Sequence, residues 1–232
     1  MHIIIGCERS GIVRQAFRKR GHDAWSCDLE PAEDSSVYHI QNDILEVLAR
    51  QEQWDLGLFY PECTYLCSSG LHWNKRKPER AAKTEEALAF VMSLQLSASV
   101  RCDKWCIENS IGCLSTRWRK PDQIIQPYQF GHDASKSTAL WLHDLSQLTG
   151  TQYVQPRWVC KNCGVSRPKP GWYESNPICI ACGSPLLPRW ANQTDSGQNK
   201  LGPSATRSMD RARTYQGIAN AMSSQWSNLS PL

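Results

Sequence analysis

A chain of 232 residues can build one well-packed domain plus a small appendage, because a single core stops growing near about 250–300 residues, so two large domains are excluded. With 41% hydrophobic residues, 21% charged residues and ten tryptophans, the chain has enough apolar surface to bury that disorder is excluded as its main state. Formal net charge is +4, and no run of about 18 apolar residues occurs. The opening Ile3-Ile4-Ile5 reaches Glu8 and Arg9 too soon for a signal peptide, so a soluble, cytoplasmic protein is expected.

In chain order, Ile3 to Ile5 reads as a strand. It stops at Gly6, and after Ser10-Gly11 the apolar residues Ile12, Val13, Ala16 and Phe17 recur at helical spacing up to Gly21. Asp23 to Cys27 reads as a second strand with Asp28 at its tip, which completes a βαβ unit. Asn42-Asp43-Ile44 precedes a short helix, and Leu56 to Tyr60, entered through Trp54-Asp55, is an apolar strand ended by Pro61. A long helix is predicted from about Glu79 to Ser99, with Leu88, Val91 and Leu94 on its apolar face. Lys104 to Ile107 is then a strand leading into Glu108-Asn109, and Ala139 to Leu142 is the last strand of the body. This alternation predicts an α/β fold with a parallel sheet covered on both faces and ligands beyond the carboxyl ends of its strands. Residues 150–206 are loop-rich, and Arg211 to Trp226 reads as one amphipathic helix through Tyr215, Ile218, Ala219, Met222 and Trp226.

Seven of the eleven cysteines are scattered over residues 7 to 113, which suits a reducing compartment. The other four form Cys160-x2-Cys163 and Cys179-x2-Cys182, fifteen residues apart, with Gly164 and Gly183 following each pair. Two such knuckles present four thiolates to one tetrahedral zinc; with no open coordination position the metal is structural. Residues 151–232 carry nine Lys/Arg against three Asp/Glu, whereas residues 1–150 carry seventeen against nineteen. The tail is therefore the part expected to face a polyanion.

The turn Gly6-Cys7-Glu8-Arg9-Ser10-Gly11 suits close approach of backbone to a ligand, and Asp28, about twenty residues on, could accept from ribose hydroxyls. The P-loop pattern is absent, and three acidic groups, Glu8, Asp28 and Asp43, would repel a polyphosphate but suit a nucleoside carrying a cationic sulfonium. Cys63, just beyond Pro61, is either a buried cysteine or a nucleophile; Glu108 at a second strand end favours the nucleophile, because a carboxyl group beside a thiol can act as acid and hydrogen-bond partner.

In their order along the chain these motifs resemble the cytosine carbon-5 DNA methyltransferases, in particular compact phage or prophage-encoded members. Gly6 to Gly11 is similar to the cofactor-binding glycine motif, Asp28 to the ribose-binding acid, Asn42-Asp43-Ile44 to the adenine-contacting segment, and Pro61-Glu62-Cys63 to the Pro-Cys nucleophile loop. Ile107-Glu108-Asn109-Ser110 resembles the Glu-Asn-Val motif, Phe130-Gly131 to Leu142 the Gln-x-Arg-x-Arg strand, and Gly217 to Ala221 the terminal Gly-Asn-Ala-Val motif. The chain departs from the pattern at Glu62, where proline is usual, at Thr64, where glutamine is, and at Lys136 and Thr138, where the family has paired arginines.

The resemblance implies a Rossmann-like class I S-adenosylmethionine-dependent methyltransferase fold. Residues 1–150 would be the catalytic body, 151–192 a zinc-ribbon recognition module, and 193–232 a segment returning to the body. It implies S-adenosylmethionine bound by Gly6, Cys7, Glu8, Ser10, Gly11, Asp28, Asp43, Ile44, Pro61 and Asn220, structural zinc on Cys160, Cys163, Cys179 and Cys182, and DNA as partner of a monomer. Catalysis would rest on Cys63, which adds to carbon 6 of an extruded cytosine, on Glu108, which stabilises the charge in the ring, and on Lys136. Arg157, Lys161, Arg167, Lys169 and Arg189 would hold phosphates, and Trp158, Trp172 and Trp190 would stack on bases or pack beside the metal. RNA, single-stranded DNA or a free cytosine nucleotide as substrate, and a zinc-ribbon nucleic-acid-binding protein with an inactive body, are the alternatives.

Overall fold

The computed structural model describes residues 1–167, 177–202, 204 and 207–227; Lys169 and Trp172 lie outside them. Two compact units are formed. The first comprises residues 1–125, 137–149 and the chain from Arg213, and the second comprises residues 126–136 and 150–212. The chain passes into the second unit at Gly150, and residues 126–136 group with that unit as well. Residues 126–136 belong with the second unit because Gly131 N–H donates to the Gln152 carbonyl and Ser135 N–H to the Asn192 side chain.

In the first unit the chain runs β1 (His2–Gly6), α1 (Ile12–Arg18), β2 (Asp23–Asp28), β3 (His39–Gln41), α2 (Ile44–Ala49), β4 (Trp54–Phe59), α3 (Ser68–Leu71), α4 (Pro78–Arg101), β5 (Cys102–Ser110), α5 (Leu114–Arg117), β6 (Gln123–Ile125) and β7 (Thr138–His143). The second holds β8 (Arg157–Cys160), β9 (Ser166–Arg167), β10 (Leu186–Arg189) and α6 (Arg207–Ala212), after which α7 (Gln216–Gln225) returns to the first.

Seven strands form one mixed sheet in the order β3-β2-β1-β4-β5-β7-β6. The first five are mutually parallel, whereas β7 is antiparallel to both β5 and β6. The expectation of a parallel sheet is thus corrected at one edge: residues 126–136 leave the body before β7, which therefore enters from the opposite end. The order 3-2-1-4-5 is that of doubly wound sheets, and its reversal between β1 and β4 is where such folds open a crevice. The fold is a mixed α/β architecture compatible with the Rossmann-like class.

Period-2 alternation sends the two sides of each strand into different layers. Ile4, Phe59, Trp105, Ile107 and Trp141 face a core completed by Leu88, Val91 and Leu94 of α4 and by Ile44 and Leu48 of α2. At roughly 1.5–3 kcal/mol for each fully buried large apolar side chain, this layer accounts for much of what holds the sheet to its helices. α4 begins with Pro78 in its first turn, where the missing N–H costs nothing, and spans 24 residues. The predicted single helix from Arg211 to Trp226 is instead two, α6 and α7. Tyr215 takes an extended conformation as N-cap of α7, Arg213 pairs with Glu33 at 2.8 Å, and the chain changes unit at this point.

Among the described residues no helix is long and apolar enough to cross a membrane.

Candidate active site and candidate metal centre

The crevice at the sheet reversal is a cavity of about 650 Å³ in the first unit. Cys7 follows β1, Asp28 ends β2, Asp43 and Ile44 begin α2 and Pro61 follows β4; all five line it, so the structure brings together half of the ten predicted cofactor-binding residues. Asp28 Oδ1 accepts from Glu30 N–H at 3.0 Å, and Leu29 between them also lines the crevice. Asp43 caps α2 by accepting from Leu45 N–H at 2.8 Å, a geometry typically worth about 1 kcal/mol. Glu62 and Glu86 add two more carboxylates against one cation, Lys83, so the wall favours a neutral or cationic ligand over a polyphosphate.

The remaining predicted binders do not line this cavity. Gly6 is required by packing: a Cβ there would lie 2.7 Å from both Ile44 Cγ1 and Phe59 Cδ1. Gly11 has φ +72° and sits against the Arg14 guanidinium, which is fully buried and donates to Ser26 Oγ and to Asp34 Oδ2. Arg14 thereby ties the glycine turn to β2 and to the 30–38 loop. Glu8 is only 5% exposed and accepts from Ser10 Oγ. Burial pushes its carboxyl up to about 7, against the opposing pull of Ser10, the Arg14 charge and the backbone amides of Val13 and Ile12. Glu8, Ser10 and Gly11 therefore build the start of α1. Asn220 is exposed on α7, which packs on α1, and accepts from Gln216 Nε2 at 2.9 Å. Burial raises the Cys7 thiol, as do the charges of Asp28, Cys27 and Asp43, so it stays protonated at the cavity floor.

Cys63 is half-buried at the start of a turn in which its carbonyl accepts from Leu66 and Cys67 N–H at 3.0 and 2.9 Å. Its neighbours Pro61, Glu62 and Tyr65 wall the cavity. The loop is fastened from two sides. From β5, Asn109, 1% exposed, donates through Nδ2 to the Pro61 carbonyl at 2.8 Å. Just beyond β5, Ser68 N–H donates to the Ile111 carbonyl and Cys113 N–H to the Leu66 carbonyl, both at 2.9 Å. From α4, Arg80 Nη2 donates to the Thr64 carbonyl at 2.6 Å and Thr84 Oγ1 to the Tyr65 carbonyl at 3.0 Å.

Glu108 precedes Asn109 on β5, opposite Leu140 of β7 and on the same side of the strand as Ser110, whose partner is the buried Thr138. Its charge is felt by the Tyr60 hydroxyl and the Cys106 thiol, both of which desolvation raises first and Glu108 raises further. Lys136 belongs to the second unit, where its Nζ donates to the Arg211 carbonyl at 2.8 Å and closes the end of α6.

In the second unit the sulfurs of Cys160, Cys163, Cys179 and Cys182 all lie within 4.8 Å of one another. Adjacent pairs are 3.4, 3.4 and 3.6 Å apart, close to the roughly 3.8 Å edge of a tetrahedron with Zn–S bonds of about 2.3 Å. Each pair sits on the same turn: Gly164 (φ +74°) donates to the Cys160 carbonyl and Gly183 (φ +70°) to that of Cys179, so glycine supplies the left-handed residue each knuckle needs. This cluster could hold a metal such as zinc.

Around it, Trp158 packs on the buried Cys160, Cys179 and Leu186, and Trp190 stacks on Tyr128 with ring centroids 4.4 Å apart. Both tryptophans are thus engaged in packing. Arg157 pairs with Asp195 at 2.7 Å and Arg189 donates to the Asp195 carbonyl at 2.9 Å, so two of the cations expected on phosphates hold the 193–197 loop instead.

The sequence pointed to the strand end from Pro61 to Tyr65, of which Pro61, Glu62 and Tyr65 line the cavity, but not to Lys83, Glu86 and Phe90 of its wall, nor to Gly112, whose added Cβ would lie 1.9 Å from the Leu66 carbonyl oxygen. The charge run from Lys75 to Lys83 was the available signal for Lys83; Gly112 had none, because only the fold brings Leu66 to it. Compared with family models the chain matches none, and no curated protein matches it.

Proposed function

We propose that this chain is an S-adenosylmethionine-dependent methyltransferase acting on carbon 5 of cytosine in DNA, with a structural zinc in its four-cysteine cluster. The observation that carries the reading is the fastening of the Cys63 loop to the strand of Glu108 through Asn109 and Pro61, beside a carboxylate-walled cavity at the sheet reversal. The donor supplies an electrophilic methyl group carried on a sulfonium. Asp28 would accept from its ribose, Ile44 would pack on its base, and the acidic wall would complement its positive charge.

Carbon 5 of cytosine is a poor nucleophile until something adds to carbon 6. The Cys63 thiolate makes that addition, and Glu108, protonated or sharing a proton with ring nitrogen 3, disperses the charge that accumulates in the ring. Carbon 5 would then take the methyl group, the donor leaving as a neutral thioether, and loss of the carbon-5 proton would expel the Cys63 thiolate and restore the ring. Extrusion of a stacked cytosine costs a few kcal/mol, offset by contacts to the extruded base and flanking phosphates. Four thiolates leave the metal no open position, so its contribution is to fold a module with only a small apolar core.

Mass spectrometry of nucleosides from DNA of cells expressing the protein tests the reading. A 5-methylcytosine signal present with the parent and absent with Cys63→Ala supports it, whereas a signal that survives Cys63→Ala refutes the assigned nucleophile. A second reading, a zinc-ribbon nucleic-acid-binding protein with an inactive body, draws on the buried Thr138, which puts no cation at that position. That reading predicts no 5-methylcytosine from either protein on a wide panel of DNA.

A further inference from the structure

A second concavity of about 300 Å³ opens beside the first, between the rings of Tyr65 and Trp73 and walled by Lys77, Arg80, Lys83 and Glu79. Trp73 is 43% exposed, an unusual position for so large an apolar ring. Arg76 and Lys77 stand 6.0 and 5.8 Å from its centroid, and Arg80 and Lys83 stand 4.9 and 5.4 Å from that of Tyr65. From Lys75 to Lys83 there are five cations and one carboxylate, and among the described residues none of the five cations is in an ion pair. That sets them apart from Arg157. Cations at a helix start oppose its dipole, so this cluster does not stabilise α4 by that route.

We propose that this cleft docks a nucleic-acid strand, with one base stacked on Trp73 and the adjoining phosphates on Lys75, Arg76 and Lys77. Aromatic platforms interleaved with cations bind single-stranded or locally unpaired nucleic acid through those two contacts, largely without regard to sequence. Position fits the role: Tyr65 and Lys83 wall both concavities, and Arg80 holds the Cys63 loop by its Thr64 and Gly70 carbonyls, so the platform and the nucleophile loop share one rigid base. The proposal rests on the methyltransferase reading for its substrate class and adds to it the surface that receives the strand.

Fluorescence anisotropy tests it, using a fluorescein-labelled oligothymidylate of about 12 nucleotides and an abasic strand of equal length, without methyl donor, over a salt series. Replacing Lys75, Arg76 and Lys77 together by glutamine should weaken binding to both strands and flatten the log–log salt slope by about 2, at about 0.7 per cation for single strands. Trp73→Ala should weaken oligothymidylate binding about five-fold or more and leave the abasic strand unchanged. A control with Lys19 and Arg20, both exposed, changed to glutamine should keep the parental slope. If the triple variant keeps that slope, the docking surface is wrong; if Trp73→Ala affects both strands alike or neither, the stacked base is wrong. All replaced side chains are exposed, and unchanged melting temperatures verify folding. Because binding is read without turnover, parental binding lost in these variants stands even if no 5-methylcytosine forms, and methylation undiminished in both variants overturns the platform while leaving the methyltransferase reading intact.

Discussion

Gly112→Ala isolates the link between the two strand ends that carry Cys63 and Glu108. An added Cβ would lie 1.9 Å from the Leu66 carbonyl oxygen and 2.8 Å from Cys67 Cα, both backbone atoms, whereas Cβ contacts below 3.0 Å essentially do not occur. Relief therefore demands a backbone displacement of about 1.1 Å, and the mobile partner is the 63–68 loop, since residues 111–113 continue directly from β5. Overpacking of this kind typically costs about 1–3 kcal/mol, and a chain of this length loses about 2–4 °C of Tm per kcal/mol. Activity should fall further than stability. Leu66 N–H bonds the Cys63 carbonyl, so the shift reaches the thiol, and a misplacement of about 1 Å at a reacting group can cost about 10²-fold in rate. The assay pairs thermal melting with methyl transfer to DNA measured well below the melting temperature of the variant. A variant that melts a few degrees lower yet retains parental kcat would refute the claim that this contact positions the nucleophile.

Asn109→Ala should remove the donor to the buried Pro61 carbonyl and destabilise by about 1–3 kcal/mol, read by urea denaturation; Asn109→Asp, which also lacks the donor and adds a buried charge, should be no milder. The purified protein should contain about one zinc per chain by elemental analysis, and Cys160→Ser or a strong chelator should remove the metal and unfold the second unit; a metal-free preparation with an unchanged melt would refute the assignment. With a folded pKa of about 7 against an unfolded value near 4.5, Glu8 binds its proton more tightly in the native state. Its contribution, up to about 3 kcal/mol, is complete below about pH 4.5 and is lost as pH rises through 7. Glu8→Gln should therefore flatten the pH dependence of Tm between pH 5 and 8, and an unaltered profile would count against the buried acid.

Local patterns made the sheet legible. Ile3 to Ile5, Leu56 to Tyr60 and Lys104 to Ile107 announce strands by apolar runs and bounding turn residues; of the acids singled out near strand ends, Asp28 and Asp43 line the crevice, whereas Glu8 packs at the start of α1. What stayed hidden depended on contacts distant in sequence. β6, three residues long, is a strand because Gln123, Ile124 and Ile125 pair with Leu140, Ala139 and Thr138. The glycine turn reads the same in sequence whether it cradles a ligand or accommodates Phe59, Ile44 and Arg14, and side-chain packing favours accommodation at Gly6 and Gly11. The tail reads as one continuous helix because Ala212 and Tyr215 keep the helical spacing across the break at Arg213, where the chain changes unit. Arg157 and Arg189 looked available for phosphate because sequence charge does not reveal Asp195 as their partner.

The sign of charge changes sharply along α4, and this separates the two concavities chemically. Lys77, Arg80 and Lys83 stand toward the aromatic cleft, while Glu86, one turn beyond Lys83, faces the crevice with Asp28, Asp43 and Glu62. At about 8 Å of Debye screening in physiological salt, neighbouring walls of opposite sign act on a ligand separately only if it lies against one of them. The wall charges favour a cation in the crevice and an anion in the cleft. On the proposed function, a helix carrying both signs within three residues sorts an anionic strand from a cationic donor before any base or ribose is recognised, and Lys83→Glu, which removes the cation common to both walls while Lys77 and Arg80 remain, should weaken strand binding while leaving the crevice's preference for a cation intact.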